Sequence, residues 1–317
     1  MHSISFNPVA NQISTKQAAE LIQVHESSIK RWCNDGELQF TLTEGRHRRL
    51  ALENLIEFAR GRGIEVPLAW FRGFEADVWF STSAALTGDY SSVMSLIGSW
   101  IKSNRIGYVY RLVEYLNDQG VEWAAICDHV LAPIMTLGAE EWKSGCGTRV
   151  DEHYNAEIVN DILQFRRHSH RHLGGNVRPS SRIAVLGCPG SEFHELGLMM
   201  VRVILEELGW SVIYLGSNVP VIDLADAQRK YSAEMVCISI SSAQTFAGYS
   251  RAAEVLASCY SDERPYVLAM GGPEANQGTD ELSYTDTFKE LLMFSDIQTF
   301  ASWIGQKESQ GAHRVIG

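Results

Sequence analysis

Apolar and polar positions change rhythm twice along this chain. From Ser14 to Arg60 the apolar residues come in short bursts separated by polar turns. Thr15-Lys16-Gln17-Ala18-Ala19-Glu20-Leu21-Ile22 follows a serine suited to cap a helix, with Gln17 placed to complete a capping box. A second helix is predicted from Glu26 through Ser27, Ser28, Ile29, Lys30, Arg31 and Trp32, stopping at Asn34-Asp35-Gly36. Two short helices across a tight turn make a helix-turn-helix. Leu38–Phe40 and Arg48–Leu50 predict strands flanking Thr43-Glu44-Gly45-Arg46-His47, and a helix over Leu52–Arg60 follows, so the hairpin forms a wing.

From Pro67 to about Leu173 the rhythm is helical. Apolar residues recur at three and four in Val93-Leu96-Ile97-Trp100-Ile101, Val109-Leu112-Val113-Leu116 and Ile126-Val130-Ile134-Leu137. Breaks at Gly88-Asp89, Asn117–Gly120 and Lys143–Gly147 predict a four-helix bundle with short connections. After Leu173-Gly174-Gly175-Asn176 the pattern becomes compact apolar strands at 182–188, 211–215, 235–239 and 266–269. These alternate with helical stretches at 195–208, 221–231 and 246–260, which predicts a parallel sheet covered on both faces, of the flavodoxin-like or Rossmann type. The expected fold is therefore multidomain: a winged helix-turn-helix over residues 1–65, a four-helix bundle over 66–175, and an α/β domain over 176–317.

A length of 317 residues fits two or three domains, and 45% apolar with 21% charged residues excludes a disordered or fibrous chain. No run approaches the ~18 apolar residues that span a bilayer, and Met1–Asn11 has no basic start leading into an apolar stretch. A soluble, cytoplasmic protein without membrane association is expected. The six cysteines contain no C-x-x-C pair and read as reduced, mostly buried thiols. The net charge of −11 argues against nucleic acid only if it is evenly spread. It is not: residues 1–62 hold eight basic and seven acidic side chains, so the acidity lies in the remainder. This locally basic head predicts double-stranded DNA as a partner. The second helix would enter the major groove with Ser27, Lys30 and Arg31 outward, while Arg46, His47 and Arg48 of the wing reach phosphates or the minor groove.

Two further constellations carry chemistry. The loop after the first strand of the sheet reads Pro189-Gly190-Ser191-Glu192-Phe193-His194-Glu195-Leu196-Gly197. A neutral imidazole here can ligate a metal, and Glu192 can fix its tautomer through the other ring nitrogen. Gly197 offers bare backbone, and Ser239, Ser241, Ser242 and Gly271-Gly272 at later strand ends open a slot where ligands of such sheets bind. In the helical region, Trp142 is followed ten and eleven residues later by Glu152 and His153. Read alone, these are a boundary aromatic and a carboxylate favoured by the helix dipole; converging, they suit a lid over a planar polar ligand. His168 and His172 face one way on a helix and read as basic decoration at its end or as a metal pair.

Resemblances sharpen these readings. Residues 13–60 resemble the MerR and excisionase-like winged helices in "STKQAAELIQVHESSIKRWCNDGEL" followed by "GRHRR". Glu192-x-His194-x-x-Gly197, then Ser239, then Gly271-Gly272, is similar to the D-x-H-x-x-G, S-x-L and G-G pattern of cobalamin-binding domains, with Glu192 in place of Asp and Ser241 in place of Leu. That resemblance implies a base-off corrinoid whose tail enters the slot, with His194 the lower axial cobalt ligand and Glu192 its support. The whole order resembles B12-dependent photoreceptor regulators of the CarH and LitR type, in which Trp-x9-Glu-His caps the 5′-deoxyadenosyl group, here Trp142, Glu152 and His153. Lys143 stands where those photoreceptors carry a histidine that binds cobalt after illumination. The implied protein is a non-enzymatic repressor, controlled by adenosylcobalamin and light, that binds operators as a homo-oligomer, a dimer or tetramer. Cobalamin sensing without photochemistry, a corrinoid carrier for methyl transfer and haem at the same histidine are the alternatives.

Overall fold

The computed structural model describes residues 12–137, 149–173, 182–190, 192, 194–240, 245–272, 284 and 286–313. The chain divides into two compact units, Met1–Val121 and Glu122–Gly317. The division falls inside the helical stretch.

In the first unit, β1 (Gln12–Ser14) leads into α1 (Thr15–Leu21) and α2 (Glu26–Asn34), followed by β2 (Thr41–Leu42), β3 (Arg48–Ala51) and α3 (Leu52–Gly61). The predicted capping box is present: Gln17 N donates to Ser14 Oγ at 3.2 Å, and Ser14 N donates to Gln17 Oε1 at 2.9 Å. β3 lies between β1 and β2 in a three-stranded antiparallel sheet. The first wing strand is later than the sequence pattern suggests, at Thr41–Leu42 rather than Leu38–Phe40. Leu38 instead folds back to close α2, its N–H on Trp32 O at 3.1 Å and its side chain buried. Gly36, at φ +74°, permits that reversal. Helices α4 (Glu75–Ala85), α5 (Ser91–Lys102) and α6 (Ile106–Asp118) follow a 3₁₀ turn at Pro67–Trp70. Their apolar stripes, including Val93, Ile97, Val109 and Leu112, are buried, and Trp100 packs among Phe71, Phe74 and Tyr108.

The second unit opens with α7 (Trp123–Ile126), a π turn at Cys127–Leu131, and α8 (Ala132–Thr136). Then come α9 (Arg149–Leu173), β4 (Ile183–Pro189), α10 (Leu196–Glu207), β5 (Ser211–Val219), α11 (Val221–Tyr231), β6 (Met235–Ser239), α12 (Thr245–Ser258), β7 (Val267–Gly271), β8 (Glu290–Phe294) and α13 (Ile297–His313). The strands are parallel in the order β5-β4-β6-β7-β8, the flavodoxin-like order. Val185, Ile238 and Leu268 share one core with Leu224 of α11 and Ala252 and Leu256 of α12. Ala184 and Leu186 point the other way, where α10 packs with β4, β6 and α13. β8 and α13 are not evident from the sequence, because Glu290–Phe294 is a five-residue run without alternation at the sheet edge. Among the described residues no helix is long and apolar enough to cross a membrane.

Candidate functional site: a sheet-end cavity and a basic cleft

The strand order reverses between β4 and β6, and neighbouring connections leave the sheet there in opposite directions, opening a crevice at the carboxyl ends of the strands. A cavity of about 680 Å³ occupies this position. Its walls gather Glu152 of α9, His194 and Gly197 before and within α10, Ser239 at the end of β6, and Gly271 and Gly272 at the end of β7. Glu192 is buried behind the histidine. His153 is exposed on the adjoining face of α9 and does not line the cavity. Trp142, Lys143 and Ser241 lie outside the described residues.

His194 is the most directed of these groups. Its Nδ1 is 2.7 Å from Glu192 Oε1, and the same oxygen accepts the His194 backbone N–H at 2.9 Å. A carboxylate at Nδ1 selects the Nδ1–H tautomer and leaves the Nε2 lone pair for a ligand. The imidazole itself is 78% exposed while its carboxylate is 5% exposed, so a fixed base projects from a buried support. Cys188 lies beneath the loop, its thiol 3.8 Å from His194 O. Burial, aided by Glu192 and Glu195, pushes that thiol up to about 12, which keeps it protonated and unreactive. Glu195 accepts from Tyr214 Oη at 3.0 Å.

The slot is shaped by backbone. A Cβ on Gly272 would lie 2.1 Å from Ile240 O and 2.3 Å from Tyr249 Oη, so no larger residue fits without displacing main chain. Tyr249 Oη sits 2.6 Å from Gly271 O and 3.0 Å from Ile240 O, tying the ends of β6 and β7 together. At Gly197 an added Cβ would meet only Ser239 Oγ, at 3.9 Å, so that glycine keeps the slot wide without being required by the backbone.

Several cavity residues were not evident in the sequence. Asp128, on the π turn, accepts the N–H groups of Ile297 at 2.9 Å and Gln298 at 2.8 Å, capping α13 from 169 residues away. Asp296 caps the same helix through Thr299 N at 2.7 Å, and against the opposing effect of burial the Thr299 and Ser295 hydrogen bonds hold its carboxyl below the usual range. Away from the cavity, Arg167 of α9 and Arg202 of α10 both donate to Glu206, at 3.0 and 2.9 Å, and Arg166 donates to Glu207 at 2.6 Å. This half-buried network fixes the far end of α9 on α10. His168 Nδ1 lies 2.6 Å from Gln164 O, and among the described residues no group of His, Cys, Asp or Glu is arranged to hold a metal.

In the first unit a cleft of about 590 Å³ runs between the start of α1, α2 and the wing. Lys30, Arg46, His47 and Arg48 line it, together with Lys16 and Arg49, two cations whose place in the cleft is not evident from the sequence. Ser27 and Arg31 are exposed on the adjacent face of α2, outside this lining. Ser27 is tied to His25, whose Nδ1 caps α2 and lies 2.7 Å from Ser27 Oγ. Arg48 has a structural duty: it donates to Lys30 O at 3.0 Å and Asn34 Oδ1 at 2.6 Å and lies over the Phe40 ring, pinning the wing to α2. The concentration of positive charge on α2 and the wing suits a phosphate backbone.

Comparison with known proteins agrees with both features. The B12 binding domain family matches residues 182–288, and the helix-turn-helix domain family matches residues 13–63. The chain is 33% identical over 117 residues to the HTH-type transcriptional repressor CarH of Myxococcus xanthus, covering 35% of this chain and 36% of that protein. It is 28% identical over 180 residues to the HTH-type transcriptional repressor CarA of the same organism, covering 53% and 56%. The matches therefore span about a third to a half of these relatives' lengths. Among solved structures, the Methanosarcina barkeri monomethylamine corrinoid protein superposes with a TM-score of 0.51 at 13% identity, over 68% of this chain and 98% of that one. That likeness concerns the fold. A helix-turn-helix domain and a B12-binding domain thus share one chain.

Proposed function

We propose that this protein is a cobalamin-controlled transcriptional repressor, not an enzyme, in which residues 1–65 bind operator DNA, 176–317 hold the corrinoid and 66–175 supply its lid. The observation that carries the reading is a tautomer-fixed, exposed imidazole at the mouth of a sheet-end cavity in a chain that also bears a basic helix-turn-helix cleft. The residues present fit a base-off corrinoid: His194 Nε2 would ligate cobalt, and the cavity beside Gly197, where an added Cβ would meet nothing nearer than Ser239 Oγ at 3.9 Å, leaves room for a flat base.

The resident form in this proposal is adenosylcobalamin, which when bound supplies a light-cleavable cobalt–carbon bond. Glu152 presents a carboxylate to the cavity from α9 and would accept from sugar hydroxyls of a bound adenosyl group; Trp142, and His153 once its exposed side chain turned inward, would complete the lid. In darkness the occupied lid favours a homo-oligomer, dimer or tetramer, that places several winged helices on one operator, so that multivalency supplies much of the affinity. Light removes that preference, because a ligand biases two arrangements only by its differential affinity for them. The protein acts in the cytoplasm.

Operator binding by the full chain, measured by gel shift in darkness and after green light with adenosylcobalamin and with methylcobalamin, tests this reading. Tight binding in darkness with adenosylcobalamin, lost on illumination, is expected. Binding indifferent to cobalamin contradicts it, and binding that responds to cobalamin but not to light removes the photochemical part.

A further inference from the structure

Among the described residues, the lining of the basic cleft includes one anion, Glu26, the first residue of α2. Its Oε1 is fully engaged, accepting from Thr15 Oγ1 at 2.6 Å and facing Lys30 Nζ at 3.1 Å. Oε2 has no partner among the described residues, and the side chain remains 36% exposed. Thr15, then Lys30, hold the carboxyl below the usual range, so it is ionised whenever the cleft meets DNA. An ionised carboxylate among Lys16, Lys30, Arg46 and Arg49 works against phosphate binding, and it offers no donor to any phosphate or sugar oxygen. What it does accept from is an exocyclic amine on a base edge. In the major groove a carboxylate pairs with cytosine N4, whose partner guanine presents O6 and N7 to a neighbouring lysine. Glu26 and Lys30 are four residues apart on the same face of α2, at the amino-terminal end that enters the groove in helix-turn-helix proteins.

We infer that Glu26 is a base-reading residue: anchored through Oε1 by Thr15 and Lys30, it accepts through Oε2 from cytosine N4 and so specifies a C·G pair in each half-site. This rests on the DNA-binding reading given above. Lys30, held beside it, contacts the guanine of the same pair or the next.

The test is selection of the full chain, with and without cobalamin, on a randomised duplex library, followed by titration of the selected duplex and its single-pair variants. The wild-type chain should enrich C·G at one fixed position per half-site and prefer it about tenfold over A·T. Glu26→Gln keeps an acceptor for Thr15 but carries the amide that pairs with adenine N6 and N7, so the enriched pair should change to A·T. Thr15→Val removes the anchor alone and should weaken binding to all duplexes while keeping C·G. A Glu26→Gln chain that enriches the same pair as wild type, or a wild type with no C·G requirement, overturns the inference and leaves DNA binding standing. A wild-type chain that enriches no sequence overturns both.

Discussion

Replacing His194 with alanine should abolish tight cobalamin binding without unfolding the chain. The imidazole is 78% exposed, so its removal opens no core cavity, and substitutions of that kind change stability by only about 0.5 kcal/mol. Its loss removes the fixed-tautomer imidazole that the proposal assigns to cobalt. Glu192→Gln keeps a hydrogen-bond acceptor but not the charge that strengthens Nε2 as a donor of electrons to metal. Loss of such a supporting carboxylate costs roughly 10- to 100-fold in affinity. The affinity series wild type, Glu192→Gln, His194→Ala, measured by titration of cobalamin absorbance, should therefore fall in that order, with unchanged circular dichroism. Equal affinity in all three chains would place the ligand elsewhere.

The second large effect concerns stability. Arg167 is 8% exposed and shares Glu206 with Arg202. Arg167→Met leaves part-buried Glu206 with Arg202 as its remaining partner, so the change should cost about 2 kcal/mol, the scale of a lost hydrogen bond to a charged group. The melting temperature should fall accordingly. Burial by itself raises the Glu206 carboxyl, but Arg167 and Arg202 outweigh it and hold the group below the ordinary value. Because the folded value is depressed, the stability it contributes is present above the unfolded value of about 4.3 and is lost as pH falls through the lower folded value. Thermal melts across that acid window should show a steeper loss in the wild type than in Arg167→Met. Identical acid slopes would mean the network contributes no such linkage.

What the sequence disclosed, and what it hid, follows from the range of each interaction. Helix starts and stops are local, so Ser14 with Gln17 and the Asn34-Asp35-Gly36 stop were readable. The support of His194 by Glu192 spans two residues and was readable for the same reason. Asp128 was not, because its meaning lies in two N–H groups on a helix that begins at Ile297. Glu206 was opaque because its arginines come from two helices, one of them 39 residues away. Arg48 looked like a free cation of the wing. Only the fold shows that its guanidinium is spent on Lys30 O and Asn34, leaving Lys16 and Arg49 to line the cleft beside it. Leu38–Phe40 had a strand's composition, yet Leu38 is drawn into the core beneath Trp32, an instance of burial overriding local preference.

The account stands on His194 as the lower ligand of cobalt. Electron paramagnetic resonance of the reduced cob(II)alamin complex, prepared with protein carrying ¹⁵N-labelled histidine, reads that bond directly. A single histidine nitrogen below the metal predicts that each triplet of nitrogen splittings in the unlabelled complex becomes a doublet in the labelled one, and that His194→Ala loses the effect. Triplets that persist in labelled protein would assign the axial nitrogen to the corrinoid's own base and contradict the account.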